Sequence, residues 1–201
     1  MFRGAQTEIT GNTAPVGAGL YIEGYQGGAG VSGERTIEYN LNEFMYIHGN
    51  TAPAYGYEGV TFPGRGAGVH LYFGPEMSLE ANSTISLNMS GARIQNNTAS
   101  GTGCQGGGIY FENTSLAEKN YTFDINLNYG TVSDNKAENG AGIYVSQGSI
   151  KSQNIGNNPL SVNGNTAVAN GGGIYVMDGS LDMAYGNILS NSITGTGNGG
   201  G

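Results

Sequence analysis

Residues 162–176 read Val-Asn-Gly-Asn-Thr-Ala-Val-Ala-Asn-Gly-Gly-Gly-Ile-Tyr-Val, and this stretch decides the fold. It holds a β-branched residue three before Asn165, Ala167 two after it, a glycine triplet, and a short apolar run. The same unit recurs along the chain. The β-branched residue and asparagine return as Ile9 with Asn12, Ile47 with Asn50, Ile94 with Asn97, Val132 with Asn135, and Ile188 with Asn191. Alanine follows at 14, 52, 99 and 137, with Ile193 in the last copy. Small-residue triplets end at residues 19, 68, 108, 142, 173 and 201, and all but the last lead into a strand-like run such as Ile109-Tyr110-Phe111. A fixed motif at spacings of tens of residues is the signature of stacked repeats.

The triplet ends lie 49, 40, 34, 31 and 28 residues apart, so a bare unit needs 28 residues and longer ones carry insertions. Three strand-like runs are expected in each unit: one after the triplet, one such as Thr84–Met89 or Thr122–Leu127, and one ending at the asparagine. Ile85, Leu87 and Met89 alternate with Ser86 and Asn88, the period of a half-buried strand. No stretch combines a helical period with caps. A unit of short strands cannot bury its own face and must stack on its copies. The expected fold is all-β: a right-handed, single-stranded parallel β-helix with five complete coils and a partial sixth. At about 4.8 Å per rung, the rod is about 25 Å long.

Composition agrees. Of 201 residues, 38 are glycine and 23 asparagine, and only 11% are charged. Glycine suits a close backbone approach, asparagine tolerates a left-handed turn, and stacked asparagines can bond from rung to rung. The net charge of -8 and the scarcity of Lys and Arg exclude a basic nucleic-acid surface. No apolar run reaches 18 residues, so no membrane-spanning helix is expected. The single cysteine, Cys104, excludes an internal disulfide.

The units carrying Ile94, Asn97, Ala99 and Gly106–Phe111, and Val162, Asn165, Ala167 and Gly171–Val176, resemble repeats of bacterial surface β-helix proteins. They are similar to adhesin-like families with GNTA…GGGIYV units, and in layout to the chlamydial polymorphic outer membrane protein repeats. The resemblance spans nearly the whole chain. It implies a pectin-lyase-like β-helix, extracellular or surface-displayed, with adhesion as the usual role. Residues 1–201 are expected to form one domain, a fragment of a longer repeat protein, with insertions at 23–35 and 53–65. Uncapped ends of such a fragment favour end-to-end self-association.

Chemistry is sparse. The aspartates are Asp124, Asp134, Asp178 and Asp182, and no neighbouring coil offers a second carboxylate opposite Asp178 or Asp182. No catalytic residue is assigned. His48 and His70 stand alone in different strands, so no metal site is expected, and no cofactor is implied. The recurrence of Asn12, Asn50, Asn97, Asn135, Asn165 and Asn191 marks a structural ladder. Candidate ligand-binding residues are an outward column of Tyr21, His70, Tyr110, Tyr144 and Tyr175, and the insertion residues Tyr55, Tyr57, Phe62 and Arg65. Aromatic faces can stack on sugars, although cross-strand packing explains the column as well. A second column, Thr13, Thr51, Thr98, Lys136, Thr166 and Ser192, raises ice or crystal-surface binding, against which Lys136 and the varied coil lengths argue. The preferred reading is a structural or adhesive surface module that meets a polysaccharide or a host or cell-surface protein. The alternative is a pectin-lyase-like polysaccharide lyase or glycoside hydrolase.

Overall fold

The computed structural model describes residues 6–24, 36–74, 83–114, 122–153 and 158–200. Three sheets of parallel strands wrap a narrow interior, and each strand pairs with its equivalent in the next coil, as a right-handed parallel β-helix requires. The described residues contain no helix, and none that could cross a membrane. The first sheet holds Leu20–Glu23, Val69–Phe73, Ile109–Asn113, Ile143–Val145 and Ile174–Val176, the runs that follow the triplets.

The other two sheets divide differently from the sequence expectation. The second and third runs of each unit belong to one nine-stranded sheet. In two coils they fuse into single twelve-residue strands, Thr84–Gln95 and Thr122–Ser133. The third sheet forms just after the ladder asparagine, from Thr51–Pro53, Thr98–Ser100, Lys136–Asn139, Thr166–Asn170 and Ser192–Ile193. These segments are too short for alternation to reveal them. They become strands because each meets its copy in register, as Thr98 meets Thr51 and Lys136.

Two cores fill the rod. The larger contains the inward residues of the first and second sheets, including Ile85, Leu87, Met89, Ile109, Phe111 and Ile125. Phe73, Phe111 and Phe123 meet inside it, with ring centroids 5.3–6.0 Å apart. The smaller lines the corner beside the ladder and is built from Ala52, Ala67, Ala99, Ala137, Ala141, Ala167 and Cys104. Small side chains fit where two backbone layers come this close.

The asparagine ladder makes that corner polar yet satisfied. Asn97 Oδ1 accepts from both the backbone N–H and the side-chain amide of Asn50. Asn97 Nδ2 donates to Asn135 Oδ1 and to the carbonyl of Ile47, the β-branched residue of the preceding coil's motif. The same pattern continues through Asn135, Asn165 and Asn191. Every amide proton and carbonyl lone pair of a central rung is used, so a buried primary amide carries no desolvation penalty left unmet.

One detail corrects the sequence reading. The ladder asparagine is not the left-handed residue of the turn; the residue before it is. Gly11, Gly49, Asn96, Asp134, Gly164 and Ser190 have φ between 55° and 70°. Glycine is demanded elsewhere by proximity. A Cβ on Gly108 would lie 2.5 Å from the carbonyl oxygen of Gly142 and 2.9 Å from the ladder amide of Asn135. The triplet thus lets adjacent coils touch beside the ladder.

Candidate functional site

The first sheet brings Tyr21, His70, Tyr110, Tyr144 and Tyr175 into one register column. Their apolar neighbours on either side point into the core, so these side chains point away from it. They are nonetheless not an open platform. The first glycine of each triplet, four residues earlier, adopts a left-handed conformation, and a Cβ on Gly106 would stand 2.5 Å from Tyr110 Cβ. The rings pack against this glycine turn and against one another. Tyr110 and Tyr144 stack with centroids 5.1 Å apart, while His70 meets Tyr21 and Tyr110 edge-on at 5.2 and 4.8 Å. His70, Tyr110 and Tyr144 are buried, and Tyr21 alone is widely exposed, at 43%. The outward column expected from alternation therefore exists, but its central faces are closed.

Beside the buried part of the column lies a charged cluster. Arg65 Nη1 donates to both carboxylate oxygens of Glu112, at 3.0 and 2.9 Å. Its guanidinium carbon sits 5.6 Å from the Tyr110 ring centroid. Glu112 Oε2 also faces His70 Nε2 at 3.7 Å, beyond hydrogen-bond reach. Neither ring nitrogen of His70 has a hydrogen-bond partner, and neither does Arg65 Nε. Burial pushes the His70 pKa down, against the pull of Glu112, and the Arg65 charge adds to the lowering. Burial alone would raise the Glu112 pKa, but His70 and Arg65 together outweigh it and hold the carboxyl below its ordinary value. Tyr110 and Tyr144 are pushed up, first by burial.

Glu112 is the residue that sequence reasoning missed. It lies one outward position beyond Tyr110, where other coils carry Glu23, Tyr72, Ser146 and Met177, so no repetition marks it. The available signal was the break in the tyrosine column at His70, in the coil that also carries Arg65. Arg65 lies between two recesses. One is a groove of about 430 Å³ bordered by Gln105, Tyr110, Glu112, Tyr144 and Asp178. The other is a crevice of about 80 Å³ formed with Val16, Tyr55, Phe62 and Pro63.

That crevice is the base of a hairpin. The 53–65 insertion folds into antiparallel strands Tyr55–Tyr57 and Val60–Phe62, joined by Glu58 and Gly59, both with positive φ. This is the tight turn whose twist matches a two-residue hairpin. Tyr55 pairs with Phe62 and Tyr57 with Val60, so all four side chains share one face. The Tyr55 and Phe62 rings stack at 5.1 Å, yet all four residues remain exposed, Tyr57 at 63%. Of the other insertion, 23–35, residues 25–35 lie outside the described residues.

The remaining candidates do not converge. Asp178 and Asp182 are exposed, and the register partner of Asp182 is Lys151 rather than a second carboxylate. Asp124 is held by Lys151 at 2.8 Å. His48 stacks on Tyr46 in another sheet, and among the described residues no three His, Cys, Asp or Glu side chains form a metal-binding group. Cys104 is buried in the alanine corner; its sulfur accepts from Gly64 N–H, and burial raises the thiol pKa, which suits packing rather than reactivity. The column Thr13, Thr51, Thr98, Lys136, Thr166 and Ser192 forms in register along the third sheet.

Fold and corner ladder define the chain as a stacked β-helix repeat protein. Residues 159–177, which hold Val162, Asn165, Ala167 and Gly171–Val176, match the family model of the Chlamydia polymorphic membrane protein (Chlamydia_PMP) repeat. The chain therefore carries a repeat of the polymorphic-membrane-protein layout, which suggests a surface or outer-membrane adhesin-like protein at the cell surface. No curated protein and no solved structure matches it.

Proposed function

We propose that this chain is a structural and adhesive module of a cell-surface protein, and that the Tyr55–Phe62 hairpin is its recognition element. The carrying observation is the hairpin's exposed face of Tyr55, Tyr57, Val60 and Phe62, four apolar side chains together, on a rod whose other described aromatic residues, Tyr21 and Phe44 apart, are buried or half-buried. A rigid repeat scaffold that carries an irregular loop is a common arrangement for binding. Exposed aromatic and aliphatic side chains on one short face suit the apolar face of a sugar ring or a patch on a surface protein.

The test is adhesion of the purified chain to immobilised polysaccharides and to cell-surface protein extracts, beside the Tyr57→Ser/Phe62→Ser double variant. Both substituted residues are exposed, so the melting temperature should stay within a few degrees. Adhesion should fall at least tenfold. Unchanged adhesion by the variant would move recognition away from the hairpin, and absence of adhesion in the parent chain would leave a purely structural spacer.

A further inference from the structure

The cluster at the hairpin base contains a contradiction in simple packing terms. The column position that holds tyrosine in every other described coil holds histidine at residue 70. The imidazole is 2% exposed, without a hydrogen-bond partner at either nitrogen, and its nearest charged group is a carboxylate already engaged by an arginine. A tyrosine there would pack as its neighbours do. Histidine adds only the capacity to gain a proton.

We infer that His70, Glu112 and Arg65 form an acid-responsive latch that controls whether Arg65 is available to an anionic ligand group. At neutral pH His70 is uncharged, and Glu112 closes on Arg65, both of its oxygens accepting from Nη1. When His70 gains a proton from solvent, Glu112 faces two cations and the imidazolium lies close to the guanidinium. The histidine cannot leave, because its strand is in register with Tyr21 on one side and Tyr110 on the other. The backbone of Arg65 is also fixed, by Arg65 N–H to Pro15 O and Gly17 N–H to Arg65 O, each 3.0 Å. The Arg65 side chain, one-third exposed, is the part free to swing. Its position between the two recesses lets it turn from the groove toward the crevice at the hairpin. A freed guanidinium binds a carboxylate or sulfate by its planar fork.

The groups facing His70 are Tyr21 on the preceding strand, Tyr72 on its own, Tyr110 and Glu112 on the following strand, and Arg65 from the turn. Burial and Arg65 lower the affinity of His70 for the proton, and Glu112 partly restores it. The inference rests on the reading of the hairpin as the recognition element, because it names the ligand chemistry and the regulation of that site.

The test measures binding of dextran sulfate, polygalacturonate and neutral dextran at constant ionic strength, at pH 7.5 and pH 5.0. It compares the parent chain with His70→Tyr and Arg65→Gln, and follows the His70 ring protons by NMR over the same range. His70→Tyr copies the residue of the other coils and should fold. The parent chain should bind one or both anionic polymers about tenfold more tightly at pH 5.0 than at pH 7.5, with neutral dextran unaffected. Sulfate-only or uronate-only binding identifies which anion the site takes. Both variants should lose the gain. The same gain in His70→Tyr or Arg65→Gln, or a His70 ring that does not titrate above pH 4.5, overturns the latch. Failure of the hairpin reading looks different: the Tyr57→Ser/Phe62→Ser variant would keep its adhesion while the His70 titration persisted.

Discussion

Two columns run the length of this rod, and both place one residue on each coil. The asparagine ladder lies inside the corner, each central amide using all its hydrogen-bonding capacity on the coils above and below. The aromatic column lies on the other side of the first sheet, held by ring packing and broken at His70. The first column is uniform because any departure would strand buried polar groups. The second tolerates a departure, and the charged cluster of Arg65 and Glu112 has gathered where it occurs. In a repeat protein, what recurs holds the stack together, and what interrupts the recurrence is where a site can be built.

The sharpest test of this contrast is Asn97→Ala. It removes the acceptor for Asn50 N–H and Nδ2 and strands the Ile47 carbonyl, all buried. A loss of about 3 kcal/mol or more is expected in urea unfolding, since each orphaned buried group costs about 1–3 kcal/mol. A loss under 1 kcal/mol would mean that water replaces the ladder. Next comes Gly108→Ala, which should cost about 2 kcal/mol through overpacking against the Gly142 carbonyl. The matching change at the hairpin, Gly56→Ala, has only the Val60 carbonyl at 4.0 Å as a neighbour and should be nearly silent.

The aromatic column should instead report itself through pH. His70 has a lowered folded-state pKa, so between that value and the unfolded 6.5 the unfolded chain binds more protons. Stability is therefore full above about pH 6.5 and is lost as pH falls toward the folded value. Melting temperature against pH should show this loss in the parent chain, and it should be absent from His70→Tyr. Glu112 acts in a lower window: its lowered pKa supplies stability above 4.5 that disappears as pH falls through the folded value. Glu112→Gln should remove that lower step. Within the column itself a small effect is expected from Tyr144→Phe, about 0.5 kcal/mol by thermal melt. Its hydroxyl only accepts from Gln105 and donates to the Met177 sulfur, both at 3.3 Å, while the ring stacking remains.

Much of this was legible before any coordinate. The motif around Asn165 predicted parallel stacking, the ladder and the register of the tyrosine column, because one residue per coil must meet its own copy. The sheet after the ladder was not legible, since Thr98–Ser100 is too short for a period to emerge. Nor was the left-handed residue before each ladder asparagine, where Gly, Asn, Asp and Ser alternate and hide the shared conformation.

The sequence by itself determined the repeat, and through it the β-helix, because stacking energies depend on like meeting like at fixed intervals. Only the tertiary structure decided that the aromatic column is closed, that the insertion stands up as a hairpin, and that Arg65 meets Glu112. Those two residues lie 47 positions apart on adjacent coils, one in an insertion and one at a variable outward position. No local pattern encodes such a pair. It exists because insertion length and coil register together bring a guanidinium to a carboxylate, and that distance is a property of the stacked coils rather than of either segment alone.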